Sequence, residues 1–246
     1  PVTNAQYQRF MEAPDFAEKQ YWTAFPKFGE PEAYTDMGNW GEAGWQWLQE
    51  ARRYKELSAD GERVFPRYWN DPRFGIARRG APVVAITWYE ANAYCKWLQA
   101  HWAALEEGQQ NPFEKPRLVR LPLEREWEQA AGGREPEGRY AWDAAGKATQ
   151  EQSEILHRAN VDKSGIGRTT PVGMYPLGAS PGGVFDLSGN VWEWQGNYWD
   201  KDHDVLALRG GSWRDPRGFA RGSERINDGP DDDWSNDGFR VVVFPS

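Results

Sequence analysis

The segment from Val184 to Trp194, Val-Phe-Asp-Leu-Ser-Gly-Asn-Val-Trp-Glu-Trp, constrains this chain more than any other. It sets two carboxylates, Asp186 and Glu193, on either side of a Ser-Gly-Asn turn, among aromatic side chains that a folded chain buries. A charged acid in an aromatic setting is costly unless it is paired or coordinated. Two readings stay open on the residues alone. One is a polar turn between strands with both acids solvated. The other is a site for a hard cation such as calcium, which takes carboxylates together with turn carbonyls.

A length of 246 residues allows one large domain or two small ones, and the motifs run end to end without a linker. A single domain over residues 1–246 is therefore expected. The chain carries 15 tryptophans, far above ordinary usage, and aromatic side chains bury much area and recur in recognition surfaces. A mean hydropathy of -0.85, with 26 glycines and 17 prolines, points to irregular backbone between short elements. The net charge of -8 argues against nucleic acid or an anionic membrane as partner. No apolar run is long enough to span a bilayer and no signal peptide is evident, so the chain gives no cellular address. One cysteine, Cys95, rules out an internal disulfide.

Along the chain, Thr3 predicts the cap of a short helix with Tyr7, Phe10 and Met11 on one face. Residues 14–79 lack periodicity but hold Trp22, Tyr34, Trp40, Trp47 and Trp69, which predicts a loop-rich aromatic insertion, packed down, with one helix near Ala43 to Tyr54. Val83 to Ile86 predicts a strand. Thr87 then caps the best helix, Trp88 to Leu105, on which Ala91, Tyr94, Cys95 and Leu98 fall at helical spacing. Residues 108–116 predict a loop, Leu118 to Leu121 a strand, and Glu124 to Ala131 a helix ended by Gly132-Gly133. Leu206 to Arg209 and Phe239 to Phe244 predict central strands. Cys95 shares the apolar face of its helix and is expected in the core rather than as a nucleophile. His101, His157 and His203 are scattered, which disfavours a zinc or iron site.

Several blocks recur in a familiar order. They are Pro1-Val-Thr-Asn-Ala-Gln-Tyr7, the Pro82–Leu98 stretch, Arg120-Leu-Pro-Leu-Glu-Arg-Glu-Trp127, Gly167–Gly173, the Val184–Trp194 segment, Leu208-Arg-Gly-Gly-Ser-Trp213 and Gly238-Phe-Arg240. In this order they resemble the formylglycine-generating enzyme (sulfatase-modifying factor) family over nearly the whole chain. The resemblance implies an α+β domain of the C-type-lectin-like fold, with short strands, two main helices and much irregular loop. It also implies strands before Pro1, so an N-terminal portion is expected beyond this sequence. Calcium ligands carry over as Asp186 and Glu193 by side chain with the Gly189 and Val191 carbonyls. A second, weaker set is Asn160, the Val161 carbonyl, Ser164, which stands where an acid is expected, and the Ile166 carbonyl.

The same resemblance implies a departure. The aerobic enzymes of the family bind copper through a cysteine pair between the positions of Trp213 and Gly238, and this segment has no cysteine. It keeps the frame residues Arg225, Pro230 and Asp231, but without thiolates no soft ligand set for copper exists, so none is expected. In their place stands a dense run of Arg, Asp, Gly, Ser and Asn with isolated aromatics, the palette of an adaptable binding surface. The arrangement looks like the variable proteins of diversity-generating retroelements, which use this fold as a display scaffold. It implies a non-enzymatic binding protein whose region 214–237 meets a protein or other macromolecule. Arg209, Gly210, Gly211, Trp213, Gly238, Phe239 and Arg240 would be scaffold. Arg214, Asp215, Arg217, Phe219, Arg221, Ser223, Glu224, Ile226, Asn227, Asp228, Asp232, Asp233, Trp234, Ser235 and Asn236 would be contacts. The alternatives are a family homologue with oxidative or accessory activity, and a regulatory or structural paralogue whose loop here is merely solvated.

Overall fold

The computed structural model describes residues 1–25, 41–105, 116–133, 139–143, 148–200 and 205–245. The predicted loop at 108–115, and Tyr34, Trp40 and His203, lie outside them. Helix α1 (Asn4–Met11) opens on a reciprocal cap, in which Thr3 Oγ1 accepts from Gln6 N at 3.2 Å and Gln6 Oε1 accepts from Thr3 N at 2.9 Å. Tyr7, Phe10 and Met11 lie on its buried face. Helix α2 (Ala43–Ala51) falls within the expected stretch, and α3 (Trp88–Leu105) runs as its spacing predicts. The same reciprocal device starts α3, with Glu90 Oε2 accepting from Thr87 N at 2.9 Å and Thr87 Oγ1 from Glu90 N at 3.2 Å. After strand β1 (Pro116–Arg120) comes α4 (Glu124–Ala130), which ends where Gly132 and Gly133 turn into positive φ of +88° and +85°. A short α5 (Gln152–Leu156) precedes the sheet.

The main sheet joins β2 (Trp192–Tyr198), β3 (Leu206–Arg209), β4 (Arg225–Asp228) and β5 (Asp237–Phe239) in the order β4-β3-β2-β5. The first three pair antiparallel, whereas β5 lies parallel to β2. Strand β6 (Val242–Pro245) leaves this sheet to pair antiparallel with β1. Two strand predictions need correction. Phe239 to Phe244 is not one strand but two short ones, β5 and β6, in different sheets. Val83 to Ile86 is buried but irregular, because Ala85 takes a left-handed φ of 58° and its N–H leaves any ladder to reach the Trp234 and Asp237 carbonyls at 3.1 Å.

One aromatic core carries these layers. Tyr7, Phe10, Tyr94, Trp88, Trp194 and Phe239 are fully or almost fully buried in it, and Trp22 and Trp47 of the 14–79 segment stack in the same core at 5.8 Å. Cys95 is buried among them, and burial pushes its thiol well above the usual range. Among the described residues, no helix is long and apolar enough to cross a membrane.

Candidate functional site

The middle of the segment 214–237 is fixed by arginines. Arg209, completely buried at the end of β3, sets Nε 2.6 Å from Glu124 Oε1 and a terminal nitrogen on Glu128. Its Nη1 donates to the Gly222, Ser223 and Glu224 carbonyls at 3.2–3.3 Å. Arg225 grips both oxygens of the same Glu124 at 2.6–2.8 Å and lies 3.6 Å above the Trp199 ring. One carboxylate of α4 therefore holds both long cations that tie β3 to β4. Close packing fixes the ends. A Cβ on Gly211 would fall 2.7 Å from the Phe219 carbonyl oxygen, and one on Gly238 would fall 2.8 Å from that of Val83.

Between these anchors opens a cleft of about 240 Å³, lined by Trp192, Arg214, Asp215, Phe219, Ile226, Asp228, Trp234, Asn236 and Asp237. Strands supply its floor: Trp192 from β2, Ile226 and Asp228 from β4, and Asp237 from β5. A 3-10 turn (Arg217–Ala220) and irregular backbone supply its rim, where Phe219 and Trp234 stand 41% and 50% exposed. Trp192 is held by Nε1 donating to Asp215 Oδ2 at 2.9 Å, a carboxylate that also takes the Ser212 hydroxyl. Its ring meets Phe219 edge-on, with 6.4 Å between centroids. Arg214 is exposed and donates to Asn236 Oδ1 at 3.3 Å.

The floor carries an unusual acid. Asp237 is 0% exposed, and neither of its carboxylate oxygens has a hydrogen-bond partner. Burial holds it well above the usual carboxylate range. The Asp228 and Asp215 charges push the same way, against the pull of Arg214. Asp228 is pushed up to about 6 by burial and by Asp232, partly offset by a hydrogen bond from the Trp234 side chain. Asp237 and Trp192 were not among the predicted contacts. The available signal was an acid beside the scaffold pair Gly238-Phe239, where a strand goes inward.

The predicted contacts divide. Arg214, Asp215, Phe219, Ile226, Asp228, Trp234 and Asn236 meet at the cleft, whereas Arg217, Arg221, Ser223, Glu224, Asn227, Asp232, Asp233 and Ser235 lie outside its lining. Arg221 turns to hydrogen-bond Tyr140, and Asp232 Oδ2 accepts from Gly229 N at 2.8 Å. Asp233 is a correction of substance. It is buried, 3.1 Å from Lys55 and 2.8 Å from Arg67, so it pins the 14–79 segment and is committed before any ligand arrives. Trp213, expected as scaffold, is half-buried, with Nε1 3.3 Å from the Ser235 carbonyl.

The calcium donors, as folded, do not suit the ion. Both Glu193 oxygens are taken by Arg240 at 2.6 and 2.7 Å, and Trp127 Nε1 adds a third bond at 2.8 Å. Arg240 also donates to the Phe185 and Asp186 carbonyls, filling with its own charge the place a cation would take. Asp186, at a left-handed φ of 56°, accepts from Gly173 N at 2.7 Å, and the Gly189 carbonyl accepts from Val191 N. In the second set, Ser164 Oγ accepts from Val161 N and donates to the Ala159 carbonyl, and the Val161 carbonyl accepts from Ser164 N. Ile166 stands at the surface, and Asn160 Oδ1 alone is buried without a partner. Among the described residues, no group of three His, Cys, Asp or Glu could hold a metal ion.

Comparison with known proteins places this architecture. The model of the sulfatase-modifying factor enzyme 1-like domain matches residues 1–244. The inactive C-alpha-formylglycine-generating enzyme 2 of Bos taurus is 31% identical over 98% of this chain and 74% of its own length. The hercynine oxygenase of Mycolicibacterium smegmatis is 28% identical over 94% of this chain and 48% of its own. Among solved structures, Treponema denticola variable protein 1 shares the fold with a TM-score of 0.53 at 21% identity, over 81% of this chain and 80% of that one.

Proposed function

The chain belongs to the sulfatase-modifying factor enzyme 1-like family, and from that premise we propose that it is a non-catalytic member, a scaffold that binds ligands through the cleft of residues 214–237. The observation that carries this reading is the cleft itself. Segment 214–237 delivers exposed aromatic and cationic side chains and half-buried or buried acids to one concave surface, while buried Arg209 and half-buried Arg225 brace it from below. No cysteine lies in the segment, and the chain's one thiol is buried in α3. A relative with an inactive enzyme's name and a structural likeness named a variable protein are compatible with such a role. Loops set on a rigid scaffold can change sequence without unfolding it, as diversification by a retroelement would require.

The locus tests this reading. Sequencing it across natural isolates should find substitutions concentrated at Arg214, Phe219, Ile226, Asp228 and Trp234, with a near-copy of their codons close by, differing mainly at adenines. Variation spread evenly along the chain, with no such copy, would contradict it.

A further inference from the structure

We propose that the cleft takes an organic cation, a primary alkylammonium or guanidinium as at the end of a lysine or arginine side chain, with Asp237 as its counter-charge. This inference rests on the cleft being the binding surface and adds the chemistry of what enters it. Three aromatic rings, Trp192, Phe219 and Trp234, surround a space whose floor and wall carry Asp215, Asp228 and Asp237. Aromatic faces attract cations, and more strongly in a site that excludes water. The acids play different parts. Asp215 is spent on orienting Trp192 and Ser212, and Asp228 is bonded by Trp234, so neither lacks a partner. Asp237 has no partner at either oxygen and is wholly buried, an arrangement that costs free energy unless something arrives to satisfy it.

A metal ion is a poorer match, because the acids are not gathered as a ligand set. A neutral ligand would bring no charge to draw the proton off Asp237, and an anion would face three acids against the single Arg214 at the rim. The charged groups facing Asp237 are Asp228, Arg214, Asp215 and Asp232, and burial with the surrounding acids favours its protonated form when the cleft is empty. Cation binding must then expel that proton, so affinity should rise with pH.

The test uses the whole chain labelled with nitrogen-15, following the Trp234 indole resonance, assigned through Trp234→Phe. Butylammonium, butylguanidinium, butanol and butyrate are titrated as probes at pH 6 and pH 8. The expected result is saturable binding of either cation, at least about tenfold tighter than butanol, tighter at pH 8, and weakened about tenfold or more in Asp237→Asn. Should Asp237→Asn not fold, Trp234→Ala at the exposed rim must produce a comparable loss, read on the Trp192 indole. Equal binding of butanol and butylammonium, unchanged binding in the variants, or no saturation by either cation would overturn the inference. Codon variation at the cleft would still be found in that case if the surface is right and only its cation chemistry is wrong.

Discussion

Trp192 and Asp237 sit opposite each other in the parallel pairing of β2 with β5, and both line the cleft between Phe219 and Trp234. The register of two short strands thus sets a large indole beside a buried acid. Asp237 also gives its carbonyl to Ala85 N, so the acid is placed by backbone and not by a flexible side chain.

Asp237 makes stability depend on pH in a definite direction. Its folded-state pKa lies well above the unfolded value near 4, so between the two the folded protein keeps a proton that the unfolded chain has released. Stability is then present below the unfolded value and is lost as pH rises through the folded one. Asp237→Asn should raise the melting temperature at pH 7, and the gain should vanish near pH 4. Asp228, pushed up to about 6 but half-exposed, should behave alike with a smaller gain, about 1 kcal/mol after allowing for solvent screening. Melting curves of both variants across this range check the sign. A loss at pH 7 would mean that the carboxylate is paired after all.

Arg240 should be worth more than its place near the end of the chain suggests. Arg240→Ala leaves Glu193, whose side chain is 1% exposed, with a buried charge and only Trp127 as partner. The expected cost is about 3–5 kcal/mol, as for other broken buried pairs. Because Arg240 fills the place a cation would take, EDTA should leave the wild-type melting temperature unchanged. A fall with EDTA that calcium restores would contradict this reading.

Asp233 should separate structure from surface. Asp233→Ala strands Lys55, 5% exposed, with Glu90 at 3.5 Å as its remaining partner, and should cost about 3 kcal/mol. Chemical denaturation measures this directly. A change of only a few tenths would return Asp233 to the list of free contacts.

Formylglycine should not form. With copper and a cysteine-containing sulfatase peptide, mass spectrometry should find no aldehyde, since Cys95 is buried with its thiol pushed up and no second cysteine exists. Aldehyde that disappears in Cys95→Ser would restore the enzymatic alternative.

Local signals were the legible part of the fold. The Thr3 and Thr87 caps, the spacing of Ala91, Tyr94 and Cys95, and the Gly132-Gly133 stop are contained within a few residues, and each appears where its pattern places it. Long-range pairing was not legible. Nothing beside Val83 announces that Ala85 will turn left-handed to feed carbonyls of residues 234 and 237, and nothing within Phe239–Phe244 announces that its two halves join different sheets. The site divided in the same way. The polar character of 214–237 marked a surface, but the sequence could not reveal that Lys55 and Arg67, far upstream, would claim Asp233. Nor could it reveal that Arg240 would pair with Glu193. Asp237 escaped notice because its meaning lies in the partner it lacks.

The most direct test of the binding-scaffold reading is a library randomised together at Arg214, Phe219, Ile226, Asp228 and Trp234, with thermal melting measured on many members. Exposed Arg214, Phe219 and Trp234 should cost about 0.5 kcal/mol each and half-buried Ile226 and Asp228 about 1 kcal/mol each, so most members should fold and melt above Phe239→Ala. Phe239→Ala, which empties a fully buried aromatic site, should cost about 3–5 kcal/mol and sets the comparison. If most library members aggregate or melt as low as Phe239→Ala, the cleft is part of the core and the protein does not display a variable surface there.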